Sequence, residues 1–260
     1  MEGFPRRFLA LPLIRFRMNR IPQSLGKPFL RDAIVELRFV PQVASNLLPG
    51  IFYERLRQHG WHPPSGGIQS TIALNFGITA STVAEPIFTK EGFRLHVMED
   101  RILFNINGTY PGWKKVYRPL LDETLPVVLT GDQVTPTRVS LRYINDIPTP
   151  NIFEVTGRFT NEPLQQLQTK NKAMRWSMRR EEIDVVLNMA SHLAGDEEGP
   201  SSVIDVDLQL LLTKDHSTDA AGILQLVDRL HMLNKEIIFG HLLPEPFLLD
   251  FDPTYPTTLS

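Results

Sequence analysis

The chain has 260 residues, no cysteine, a formal charge of −2, and 42% apolar against 22% charged residues. That composition folds rather than staying disordered, and the near-zero charge supplies no broad basic field, so a nucleic-acid partner is not expected. The lack of cysteine excludes disulfides, Cys-ligated zinc and thiol nucleophiles and fits a cytoplasmic location; no apolar run reaches the roughly 18 residues that cross a bilayer.

Residues 1–17 carry Arg6, Arg7, Arg15 and Arg17 against Glu2, around a proline-broken apolar stretch from Phe8 to Ile14. They read as an N-terminal extension, with the foldable pattern starting after Met18; the other reading is a basic amphipathic arm. "AIVELRF" (33–39) alternates as a half-buried strand. "LPGIFYERLRQHGW" (48–61) has helical spacing at Ile51, Tyr53, Leu56 and His59, with Pro49 in the first turn and Gly60 as a stop. "PPSGG" (63–67) reads as a loop. "STIALNFGI" (70–78), "FRLHVME" (93–99) and "ILFNIN" (102–107) read as strands, the last two joined by a tight turn. "PGWKKVYRPLLDETLPVVL" (111–129) puts Trp113, Val116, Leu120 and Leu121 on one helical face, and Pro119 is a candidate kink.

After a loop at 130–137 the order starts again. "RVSLRYINDI" (138–147) is a strand, 161–168 a short helix, 173–181 and 182–191 strands, 195–202 an acidic loop, and "VIDVDLQLLL" (203–212) a strand. The strongest helix spans 219–243, with Asp219 as N-cap and a stripe of Ile223, Leu226, Val227, Leu230, Leu233 and Ile237. The proline-broken tail 244–260 is expected to pack in extended form.

"VELRFV" (35–40) and "VSLRYI" (139–144) share one pattern at an offset of 104 residues, and the same offset carries Ile102, Phe104 and Ile106 onto Val206, Leu208 and Leu210. This spacing predicts an internal duplication. The fold class is therefore α+β: two related βαβββα halves, with antiparallel sheets and helices on one face. Residues 1–17 would be the extension, 18–130 the first half, and 131–260 the second half with the C-terminal helix and tail. The halves would form two domains or one compact domain.

"PFLRDAIVELRF" (28–39), "LPGIFYERL" (48–56), "YPGW" (110–113), "LRYIN" (141–145) and "LHMLNKEIIFGHL" (230–242) resemble the signature blocks of a family of uncharacterised, sporadically distributed prokaryotic proteins of similar length. The resemblance covers nearly the whole chain apart from residues 1–17. It implies a standalone protein. Sporadic distribution is typical of horizontally moved genes, including defence and mobile-element genes, and the resemblance supplies no catalytic residues.

Motifs for chemistry are sparse. His59 and His62 at a helix end lack the spacing of a metal pair, so no metal site is expected, and no cofactor loop or Gly-x-Ser-x-Gly is present. His231, beside an apolar stripe, reads as a satisfied half-buried histidine. "MRWSMRREE" (174–182) sets Arg175, Arg179 and Arg180 around Trp176 but reads as a solvated strand end with local ion pairs. Strand alternation supplies the one coherent surface. If Val35, Leu37, Phe39, Val139, Leu141 and Tyr143 face the helices, then Glu36, Arg38, Ser140 and Arg142 face away from them. Arg101, Asn105, Asn107, Asp205, Asp207 and Gln209 join them on that side. Glu36, Arg38, Arg101, Asn105, Arg142, Asp205 and Asp207 are the candidate face for a protein partner or a small polar ligand. Its alternatives are a solvated face, or a seam in which Arg38 meets Asp205 or Asp207. The expected function is a non-enzymatic binding or interaction protein, accessory to a prokaryotic defence or mobile-element system and able to form homo-oligomers. The alternative is a metal-dependent enzyme on a phosphorylated or nucleotide-like substrate, with Arg38 and Arg142 holding anions and Asp205 and Asp207 as metal ligands.

Overall fold

Alternation along the strands builds one large sheet. In the computed structural model, which describes residues 20–65, 86–106, 110–156, 171–192 and 201–256, β1 (Ser24–Leu25) pairs with β11 (Pro253–Thr254) as a small ribbon. The remaining strands are β2 (Leu30–Pro41), β3 (His62–Ser65), β4 (Ile87–Lys90), β5 (Phe93–Val97), β6 (Arg101–Ile106), β7 (Val134–Ile147), β8 (Asn171–Arg180), β9 (Ile183–His192) and β10 (Ser201–Leu211). They form one nine-stranded sheet in the order β3-β4-β5-β6-β2-β7-β10-β9-β8, and every pairing is antiparallel. The fold is α+β. The segment 1–17, the expected strand 70–78, Asn107, the expected helix 161–168 and most of the acidic loop 195–202 lie outside the described residues.

The sheet runs without a break across both halves of the chain. Its order is mirrored about the β2/β7 pair: β6, β5 and β4 follow outward on one side, and β10, β9 and β8 on the other. At the centre Val35 lies opposite Leu141, Glu36 opposite Ser140 and Leu37 opposite Val139, so the 104-residue offset maps these pairs onto one another. The outer register differs from the expectation. Ile102 pairs with Leu37 and Leu208 with Leu141, so Ile102 corresponds to Leu208 and Phe104 to Leu210, not to Val206 and Leu208. A slip of two residues preserves side-chain parity, which leaves the assignment of faces intact.

One face carries the core. Val35, Leu37, Ile102, Phe104, Val139, Leu141, Val206, Leu208, Val185 and Leu187 are all buried there, in one cluster with the helices. The helices are α1 (Leu48–Leu56), α2 (Arg118–Leu129), α3 (Ile152–Thr156), α4 (Ala220–Lys235) and α5 (Glu245–Leu248). In α1 the buried stripe is Leu48, Phe52 and Leu56, at spacings of four, rather than Ile51 and Tyr53. Gly60 takes φ 78°, the left-handed geometry that ends the helix. Pro119 opens α2 instead of kinking a longer helix, because the preceding turn, Trp113–Tyr117, is a wider π-type turn. Asp219 caps α4 by accepting from the Gly222 N–H at 2.7 Å. After α4 the chain makes a second π-type turn, Glu236–Leu242.

Three further elements differ from the sequence reading. "PPS" belongs to β3 rather than to a loop, and β4 precedes β5 through a two-residue turn in which Glu91 and Gly92 both have positive φ, 47° and 83°. That geometry suits a tight hairpin. The tail is extended only in β11; before it, α5 and a 3₁₀ turn at Leu249–Phe251 pack Phe251 edge-on against Phe29, with ring centroids 5.1 Å apart.

Candidate functional site

The face opposite the helices is polar, and all seven sequence-nominated residues lie on it. Cross-strand neighbours share a face, which gives rows that can be read across the sheet. In one row Arg138, Arg38 and Arg101 are successive neighbours on β7, β2 and β6. In the next, Gln209 lies beside Ser140 and Ser140 beside Glu36. A third runs Asp207, Arg142, Ile34, Asn105 and Arg94, and a fourth Asn188, Asp205, Ile144 and Asp32.

Three adjacent arginines repel, and Glu36 offsets that repulsion. Its carboxylate accepts from Arg38 Nε at 2.9 Å, from Arg101 Nη1 at 3.5 Å, and from Arg138. Burial alone would push the Glu36 carboxyl up, but the hydrogen bonds from Arg138 and Arg38 outweigh it and hold it below the usual carboxylate value. Asp100, in the β5–β6 turn, accepts from Arg38 and Arg101, each at 2.8 Å. The row thus has three cations and two carboxylates within bonding distance. The Arg38 and Arg101 side chains keep 29% and 31% of their surface in solvent.

The second cluster is tighter. Arg142 donates Nε and Nη2 to the two oxygens of Asp205, both at 2.8 Å, and Asn188 donates to Asp205 Oδ2 at 2.9 Å. Asp205 is 2% exposed. Burial disfavours the Arg142 charge, yet the bonds to Asp205 raise its pKa above the ordinary value. Asp207 is pushed the other way: burial, helped by the nearby Asp205 and Glu36 charges, raises its carboxyl even though Gln209 donates to it at 2.6 Å. Asp32 is also raised by burial. The seam expectation is corrected in its partners. Arg38 meets Glu36 and Asp100, whereas Asp205 is met by Arg142. The reason is register: Asp207 lies directly opposite Arg142 and Asp205 two residues along β10, and β7 stands between both acids and β2. Among the described residues no group of three or more His, Asp or Glu side chains is arranged to hold a metal ion.

A buried aromatic cluster on the helix side has no motif in the sequence. His231 of α4 stacks on Trp113, with centroids 4.3 Å apart and planes 7° from parallel, and its Nδ1 lies 2.7 Å from the Tyr143 hydroxyl. Burial, with Lys235 and Lys114 nearby, lowers the His231 pKa to about 3. Trp113 Nε1 donates to Asp228 at 3.1 Å, and Arg118 Nε donates to the other oxygen of Asp228 at 2.9 Å. Tyr117 donates its hydroxyl proton to the backbone, with the Phe104 oxygen at 2.8 Å and the Ala33 oxygen at 3.1 Å. These contacts tie α4 and the π-type turn to strands from both halves, a locking role rather than an open site.

The basic stretch around Trp176 is β8 and the turn after it. Arg180 pairs with Glu236 at 2.8 Å, and Arg229 of α4 pairs with Glu181 and Glu182. No helix among the described residues is long and apolar enough to cross a membrane. No protein-family model matches the chain, and no curated protein matches it.

Proposed function

We propose that this chain is a binding or interaction protein rather than an enzyme, and that the arginine row on the polar face of its sheet meets a protein partner or a small polar ligand. The observation that carries the reading is the arginine row. Arg138, Arg38 and Arg101 stand side by side on three central strands, with Glu36 and Asp100 as their only carboxylate partners among the described ion pairs. A carboxylate or phosphate from a partner can join this row without burying an unpaired charge, because the cations outnumber the anions there. The rigid central strands hold the guanidinium groups in place before binding, which lowers the ordering cost.

The resemblance to sporadically distributed prokaryotic proteins favours an accessory role in a defence or mobile-element system, with homo-oligomers compatible with it. The mirrored strand order and the shared β2/β7 register support reading the two halves as copies of one ancestral unit. The metal-dependent enzyme is the weaker reading. Both oxygens of Asp205 are already engaged by Arg142 and Asn188, so a metal would have to displace a bidentate charged pair before Asp205 and Asp207 could share it.

The test is capture from cells that carry the gene, with wild-type protein and with Arg38→Glu/Arg101→Glu compared side by side. Circular dichroism checks that the variant is folded. The reading expects components retained by the wild type to be lost by the variant. A folded variant that keeps every component would remove the sheet face from consideration. A thermal shift that needs both a nucleotide and a divalent metal would favour the enzyme instead.

A further inference from the structure

β8 closes the sheet order, so among the described residues one of its backbone edges has no strand partner. It is ten residues long and pairs with β9 along its whole length. Long edge strands with free N–H and C=O groups attract further strands unless something deters them. Here the deterrent is charge of one sign: Lys172, Arg175, Arg179 and Arg180 lie along β8, with no acidic residue in it. In an antiparallel pairing of two copies centred on Ser177, Arg175 would face Arg179. Centred on Trp176, Lys172 would face Arg180. Like charges directly opposite destabilise both arrangements, so a second copy of this chain is a poor occupant.

The two faces of β8 are chemically distinct. Toward the helices, Met174, Trp176 and Met178 sit beside Met189, Leu187 and Val185 of β9, which are buried in the core. Met174 and Trp176 are half-buried against that core, and Met178 is 46% exposed. Toward the open face, Arg175 and Arg179 are exposed, and Arg179 approaches its neighbour Asp184 only to 3.8 Å. A strand laid along this edge would extend the core with its apolar side chains and would meet arginines with the alternate ones.

We propose that β8 is an acceptor edge for an extended peptide that alternates apolar and acidic residues, bound by strand addition. Backbone hydrogen bonds supply the binding, the Met–Trp–Met side selects apolar residues, and Arg175 and Arg179 select Glu or Asp. The same arginines that repel a second copy thus admit an acidic partner, which is how charge sets specificity at an interface. The proposal stands apart from the arginine row on the central strands, and its test separates the two.

The probe is a capped, fluorescein-labelled peptide of ten residues alternating Glu and Val, measured by fluorescence polarisation against the full chain. Two controls accompany it: a Lys–Val peptide, and a Glu–Val peptide methylated at alternate backbone nitrogens, which keeps the charge but cannot pair as a strand. The wild type should bind the Glu–Val peptide and neither control. Arg175→Glu/Arg179→Glu should bind it about tenfold or more weakly and gain affinity for the Lys–Val peptide. Hydrogen exchange should show new protection in β8 when the peptide is bound. The Arg38→Glu/Arg101→Glu protein should keep the peptide, so a failed sheet face leaves this result unchanged. Equal binding of the methylated control would reduce the effect to charge alone and overturn the proposal, as would no binding of the Glu–Val peptide. Sedimentation showing a dimer that competes with the peptide would put a second copy on the edge instead.

Discussion

Replacing Arg142 with Met tests the tightest ion pair of the polar face. The substitution keeps most of the aliphatic volume and removes two charged hydrogen bonds of 2.8 Å to Asp205. Among the described residues Asp205 is then left with the single side-chain bond from Asn188 while only 2% exposed. Breaking a fully buried pair costs about 3–5 kcal/mol. The Arg142 side chain keeps 22% of its surface in solvent, so water can reach part of the gap, and about 2–4 kcal/mol is the expected loss. At about 2–4 °C per kcal/mol for a chain of this size, the melting temperature should fall by roughly 5–15 °C. Urea unfolding at pH 7 of wild type, Arg142→Met, Asp205→Asn and the double variant gives the coupling energy. The double variant should recover much of the loss, because no charge is stranded. Arg38→Met is the contrast: Glu36 retains Arg138 and Arg101, so about 1 kcal/mol or less is expected. A loss below about 1 kcal/mol for Arg142→Met, or singles that simply add, would refute the ranking.

Two pH-linked predictions come from the same geometry. His231 has a folded pKa near 3, below its ordinary 6.5, so the unfolded chain binds a proton first. Its contribution to stability is complete above about pH 6.5 and is lost progressively as the pH falls toward 3. Between pH 7 and 5 the wild type should lose about 2 kcal/mol more than His231→Gln, measured by urea unfolding at each pH; parallel curves would show that His231 is not held neutral. Asp207 is shifted upward, chiefly by burial, so its charged form is disfavoured in the fold at neutral pH. Asp207→Asn should raise the unfolding midpoint at pH 7, with the gain fading as the pH drops through the folded pKa of Asp207. A lower midpoint at pH 7 would mean that the charge itself is needed, for example by Arg142.

Parity was the legible part of this sequence. Val35, Leu37 and Phe39 alternate with Ile34, Glu36 and Arg38, and the same alternation in β6, β7 and β10 sorts the other five of seven candidate residues onto the face away from the helices. Parity survives a slip of two residues, which is why the faces held although Ile102 aligns with Leu208 rather than Val206. The identity of ion-pair partners was not legible, since it depends on which strands are neighbours. β7 stands between Arg38 on β2 and the acids of β10, and the Arg38 partner Asp100 sits in a turn 62 residues away. The His231–Tyr143–Trp113 contact joins three elements that no spacing connects. β4 is not legible because four residues are too few to show a period, although "EG" at 91–92 carries the positive-φ hairpin signal. The prolines of the tail suggest extension throughout, which holds in β11, whereas Pro246 sits in the first turn of α5, where proline is tolerated.

Whether the open sheet face meets the partner can be measured most directly by arginine labelling. Full-length protein is treated with phenylglyoxal alone and in the captured complex, and modification is quantified at each arginine by mass spectrometry. Arg38 and Arg101 are accessible enough to react, and Arg57, with a side chain 54% exposed on the helix side, serves as the internal control. Labelling at Arg38 and Arg101 should fall in the complex while Arg57 stays unchanged. Unchanged labelling at both, in a complex that persists, would contradict the assignment of the sheet face; a fall confined to Arg175 and Arg179 would move the contact to the β8 edge.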